Sequence, residues 1–85
     1  MFTVTYTKAA YKTLSKMPTD YRVRMMRELA LVAVSPAAYR GDWKALEGAP
    51  YWRLRVGGYR AICEMRGHEL VLLVLKVGSR GNVYK

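Results

Sequence analysis

The period of the apolar side chains changes midway along this chain, and that change does most to restrict its fold. Tyr21, Met25, Leu29 and Val32 follow one another at spacings of four, four and three, which lines one face of a helix. From Trp52 onward the period is two, as in strands that turn one face inward and the other outward. Helical segments followed by a run of strands predict an α+β architecture with the helices grouped on an antiparallel sheet.

The alternation FTVTY predicts a first strand over residues 2–6. Thr7 has the chemistry of a helix N-cap, and Tyr6 and Tyr11 are spaced for a hydrophobic staple, so a first helix is expected over 8–16. Its Ala10, Tyr11 and Leu14 can face inward, while Lys8, Lys12 and Lys16 recur every four residues as a solvated stripe. Pro18 suits the first turn of a second helix and Asp20 the positive end of its dipole. Met25 and Met26 read as core filler. Ser35 precedes Pro36, is pushed out of helical geometry and ends that helix near Val34. Residues 36–50 carry Pro, Gly and Asp punctuation and read as a loop with room for a short turn of helix. Strands follow over 52–56, 59–65 and 70–77, joined by Gly57-Gly58 and by a turn at 66–69. The last run, LVLLVLKV, is apolar on both sides and predicts a central strand. The expected fold is an N-terminal strand, a two-helix hairpin and a three-stranded antiparallel meander in one sheet, as a single domain over 1–85.

Fifteen Lys and Arg against six Asp and Glu give a formal net charge of +9, which surrounds so small a body with positive potential and calls for a polyanionic partner. The hydrophobic content of 52% argues for a packed core and against disorder, and the basic excess is shared by both halves of the chain, so it is not a disordered basic tail. A lone cysteine, Cys63, lies in an apolar strand and excludes an internal disulfide, in keeping with a reducing cytoplasm. No run approaches the roughly 20 apolar residues of a membrane span, so neither membrane insertion nor secretion is expected.

The stretch WRLRVGGYR at 52–60 places Arg53, Arg55 and Arg60 around one tight turn with no acid in the stretch. Arg53 and Arg55, two apart, project from one face of a strand, and Trp52, Leu54 and Val56 from the other. Folding back at the glycines brings Arg60 toward that pair if the register permits, and like charges facing across a hairpin are unfavourable. An arrangement that costs stability invites an absent anion as its explanation; the alternative is an ordinary charged outer face. The tail VGSRGNVYK adds Arg80 and Tyr84, a guanidinium suited to phosphate and a phenol able to stack on a base or take part in proton transfer.

Taken together, WKALEG, YWRLRVGGYRAICEM and LVLLVLKVGSRGNVY resemble the RelE/ParE superfamily of bacterial toxins, in particular its RelE-like mRNA endonuclease branch. The resemblance extends over essentially the whole chain. It implies a toxin that enters the ribosomal A site and cleaves the bound mRNA without a metal or other cofactor. The 2′-hydroxyl attacks the adjacent phosphate and leaves a 2′,3′-cyclic phosphate and a 5′-hydroxyl. By the same resemblance Arg53 and Arg55 act at the scissile phosphate, Arg60 is the arginine after the glycine turn, Arg80 that of the glycine-arginine motif, and Tyr84 the substrate-orienting tyrosine.

The chain departs from the family at two strand positions, where RelE has lysines. Arginine, with a pKa above about 12, cannot serve as a base. Arg53 and Arg55 are then stabilisers of the dianionic transition state, and the base is Tyr84, Glu64 or a ribosomal group. Glu64 shares a strand face with Arg60, which also makes it a candidate ion-pair partner. Some relatives use a carboxylate and a C-terminal histidine; His68 reads as a solvated turn residue. The chain runs one residue past Tyr84, so the C-terminal helix of some relatives is not expected. The implied partners are an acidic antitoxin, in a hetero-oligomer, together with the ribosome and mRNA. Two alternatives stand: a ParE-like toxin that inhibits DNA gyrase without catalysis, and a basic ribosome- or RNA-binding module. The sequence offers no paired acids or His/Cys cluster of the kind a metal nuclease uses.

Overall fold

The first helix begins where Thr7 closes it. In the computed structural model, which describes residues 1–79, the Thr7 hydroxyl accepts the Ala10 N–H at 3.1 Å and donates to the Leu75 carbonyl at 2.6 Å. One side chain therefore caps the helix and ties it to a distant strand. Strand β1 (Thr3–Tyr6) precedes this cap, and helix α1 (Lys8–Lys16) follows it. Met17 is extended and ends α1, its N–H turned back to the Leu14 carbonyl at 3.1 Å. Helix α2 (Thr19–Val34) starts after Pro18, which occupies the cap position, and stops at Ser35, extended at φ −159° ahead of Pro36.

Strands β2 (Trp43–Ala45), β3 (Trp52–Val56), β4 (Tyr59–Arg66) and β5 (Val71–Ser79) complete the described elements. They form one five-stranded sheet in the order β1-β5-β4-β3-β2, in which β1 runs parallel to β5 and every other pair is antiparallel. The predicted α+β arrangement is present, with β5 interior as its apolar run implies and β4 at the middle. The difference is β2, which lies inside the segment read as a loop. Three residues are too few to show a period, and their strand character comes from pairing with β3, Trp43 opposite Leu54 and Ala45 opposite Trp52. Trp43 and Trp52 stack with ring centroids 5.2 Å apart, 12° from parallel.

Both helices cover one face of the sheet. Leu14 from α1 and Met25, Leu29 and Val32 from α2 are fully buried against Leu54, Leu72 and Val74. Two expected core residues are not there. Tyr11 is 62% exposed, because Ala10 and Leu14 set the inward stripe and Tyr11 lies a further 100° around the helix. Met26 is 38% exposed for the same geometric reason, one step past Met25.

A bulge decides the phase of β5. Cys63 pairs with Val74 but Ile62 pairs with Lys76, so Leu75 is an extra residue with no partner on β4. Strict alternation from Leu72 and Val74 would point Lys76 at the helices. The added residue turns Val77 inward and leaves Lys76 exposed on the outer face.

Burial raises the Cys63 thiol to about 12 from its ordinary 9.0. The unfolded thiol therefore loses its proton first, and above about pH 9 the unfolded state binds fewer protons than the folded one. Stability is expected to fall as pH rises from about 9 to about 12, on urea melts taken across that range. The half-buried Tyr6 phenol, also raised, contributes in the same direction, and Cys63→Ala should flatten the dependence without removing it.

Candidate anion-binding site

The site is built around the β3–β4 turn, and α2 holds that turn in place. Gly57 has φ +59°, and a Cβ there would sit 2.8 Å from the Tyr21 ring carbon Cε1, so conformation and space both require glycine. Tyr21 in turn packs against Tyr59, centroids 5.3 Å apart, and carries the Arg24 guanidinium 5.5 Å from its ring centre. A positive φ at the first central residue only is the pattern of a type II′ turn, which sets a two-residue hairpin and its register.

That register places Arg55 directly opposite Arg60, with Arg53 opposite Ile62. Arg53, Arg55 and Arg60 thus lie on the face away from the helices, while Leu54, Val56 and Ala61 are in the core. The same pairing extends the cationic face in both directions. Lys44 is opposite Arg53 on β2, and Lys76 is opposite Ile62 on β5, giving a cross-sheet row Lys44, Arg53, Ile62, Lys76. A second row runs Arg55, Arg60, Gly78. Ile62 is only 6% exposed although it stands on this outer face.

Nothing local to 52–60 neutralises the arginines, but an acid reaches them from the loop before β2. The Arg55 N–H donates to the Asp42 carbonyl at 3.0 Å, which sets Asp42 beside β3. One carboxylate oxygen of Asp42 accepts a hydrogen bond from the Arg53 guanidinium, and the other lies 4.0 Å from Arg55 Nη1. Arg53 is largely covered, its side chain 14% exposed against 51% for Arg55. No acid among the described residues pairs with Arg60. The Nε atoms of Arg53 and Arg60 are both buried without a hydrogen-bond partner there. Arg55, Gly57, Gly58 and Arg60 line a small hollow of about 180 Å³. Two arginines facing across the hairpin and an open hollow lined by both suit a tetrahedral oxyanion.

Of the five residues singled out in the sequence, three are brought together here. Arg80 and Tyr84 lie outside the described residues, although β5 ends at Ser79, next to the Gly78 that faces Arg60. Glu64 is on the outer face but its partner is Arg66, whose Nε donates to it at 2.6 Å, and not Arg60. His68 is an exposed turn residue, as expected. Sequence reasoning missed Asp42, Lys44 and Lys76. Lys44 and Lys76 are visible only through the pairing of β2 and the bulge in β5, and Asp42 sits eleven residues from Arg53 in a segment with no period.

A family model described as the ParE toxin of the type II toxin-antitoxin system parDE matches residues 4–84. The chain belongs to the ParE toxin family. The toxin is RelE-like in fold. It is similar to a chain of the archaeal RelE-RelB complex from Pyrococcus horikoshii OT3, at TM-score 0.80 and 26% identity over 96% of this chain and 98% of that one. A chain of the RelB-RelE antitoxin-toxin complex from Methanococcus jannaschii matches at TM-score 0.75 and 26% identity, over 93% of each. A chain of the intact E. coli RelBE complex matches at TM-score 0.80 and 24% identity, over 96% of this chain and 100% of that one. No curated protein matches the toxin by sequence. Among its described residues no helix is long and apolar enough to cross a membrane.

Proposed function

We propose that this type II toxin is a ribosome-dependent mRNA endonuclease in which arginines carry the transition-state charge. The supporting observation is the facing pair Arg55 and Arg60, which line a hollow together with Gly57 and Gly58. Attack of the 2′-hydroxyl on the adjacent phosphorus puts extra negative charge on the nonbridging oxygens, where preorganised guanidiniums bind more tightly than in the ground state. The 2′-oxygen to phosphorus bond forms as the 5′-oxygen to phosphorus bond breaks, giving the cyclic phosphate and a 5′-hydroxyl. The base is Tyr84 or a group on the ribosome; Glu64 is already held by Arg66. Arg80 supplies a further guanidinium. In this reading the developing charge falls to the arginines.

The partner in the resting state is an acidic antitoxin, suited to a net charge of +9. The similar solved structures include complexes of RelE with RelB, which supports a hetero-oligomer. Exposed Leu31 and Val34 on α2 border a groove of about 430 Å³ with Tyr39 and Arg40, an apolar surface such a partner can use.

A second reading, gyrase inhibition without catalysis, is favoured by the ParE label of the matching family model. Primer extension on a defined mRNA, with and without programmed ribosomes, separates the two. Cuts in the A-site codon only with ribosomes are expected. An uncut message, with loss of DNA supercoiling by purified gyrase, would establish the second reading.

A further inference from the structure

Asp42 is the one acid against Arg53 and Arg55 among the described residues, and the fold delivers it there by several contacts. The Tyr39 hydroxyl donates to Glu28 on α2 at 2.5 Å. Its ring closes over Gly41, where a Cβ would fall 2.1 Å from the Tyr39 oxygen. Trp43 N–H donates to the Gly41 carbonyl at 3.0 Å and Arg55 N–H to that of Asp42 at 3.0 Å. The backbone is thus pinned from both sides, while among the described residues the carboxylate is held only by its ion pairs. Burial, then the bond to Glu28 and the charges of Glu28 and Asp42, hold the Tyr39 phenol above its ordinary range.

The ion pairing is lopsided. Asp42 bonds closely to Arg53, reaches Arg55 only at 4.0 Å, and leaves Arg60 with no acid among the described residues. Its side chain is 39% exposed, and ion pairs this accessible contribute little to stability. A phosphate, with more oxygens in a tetrahedral array, can engage Arg55 and Arg60 together. A rotation of the Asp42 side chain alone would vacate its place, with the loop backbone unmoved.

We propose that Asp42 is an internal competitor that engages Arg53 and Arg55 in the free toxin and yields them to an RNA phosphate. This rests on the phosphate-binding reading of the arginine face. Asp42 then weakens binding to stray polyanions and reserves tight binding for RNA that reaches Arg60 as well.

The test is fluorescence anisotropy of a short labelled single-stranded RNA titrated with the full chain across a range of salt. Asp42→Asn should bind roughly tenfold more tightly at low salt, with the slope of log affinity against log salt steeper by about 0.7, one more cation being free to engage RNA. Glu47→Gln, the same charge change in the turn at the other end of the β2–β3 hairpin, should gain less than about twofold. Equal gains in both variants would make the effect one of net charge and overturn the proposal. So would weaker binding by an Asp42→Asn protein that circular dichroism shows to be folded, since Asp42 would then be organising the arginines. Asp42→Ser substitutes if the first variant fails to fold. Arg55→Gln separates the two levels of inference. If it binds RNA as the native chain does, the phosphate site itself is wrong. If it loses binding while Asp42→Asn matches Glu47→Gln, only the competitor role fails.

Discussion

Arg60→Ala is expected to lower ribosome-dependent cleavage by about 10²–10³-fold while leaving the protein as stable as before or slightly more so. The two halves of that expectation come from the same geometry. Arg60 faces Arg55 across the hairpin, and like charges directly opposite are destabilising. Its Nε is buried without a partner among the described residues, which adds a desolvation cost. Removing it relieves both, so a melt should show Tm unchanged or raised by a few degrees. Single-turnover cleavage on programmed ribosomes should show the loss in the chemical step, since a donor aimed at developing charge is worth most in the transition state. A variant that loses stability and activity together would make Arg60 a structural residue. One that cleaves at the native rate would remove it from the site.

Leu54→Ala, one residue from each of Arg53 and Arg55, is expected to do the opposite. Leu54 is fully buried beneath α2 and packs in the core with Met25, Leu29 and Val74. Truncating a buried leucine costs about 2–5 kcal/mol, partly as lost transfer energy and partly as the cavity left behind. A domain of this size has about 4–13 kcal/mol in all. The melting temperature should therefore fall by more than about 10 °C, as read by thermal denaturation. At temperatures where the variant is still folded, the arginines remain on their own face of β3, and cleavage per folded molecule should stay within a few-fold of native. A small change in melting temperature would mean that the helices do not bear on the strand as the burial indicates.

The contrast between these neighbours was legible in the residues. Period two put Leu54 and Val56 on one side and Arg53 and Arg55 on the other, and the structure agrees. Both helices appear within a residue or so of their expected ends, because Thr7, Pro18 and Ser35-Pro36 act through local sterics and hydrogen bonding that need no tertiary partner. Tyr11 and Met26 went astray because a helical stripe is defined by its buried neighbours, and a residue 100° away looks equally apolar in a string of letters.

The candidate anion site was legible in its ingredients and not in its assembly. The chain alone determined an α+β fold, the two faces of the β3–β4 hairpin, and three arginines around a glycine turn. Those properties follow from dihedral preferences and side-chain alternation, which act over a few residues. Tertiary structure decided that Arg55 meets Arg60, through a turn clamped by Tyr21, and that Lys44 joins the face through β2. It decided that Lys76 points outward, through the extra residue at Leu75, and that Asp42 stands between Arg53 and Arg55. Each of these depends on pairing between segments distant in the chain. Register, bulges and loop placement are set by the packing of the whole domain, and no local run of residues encodes them.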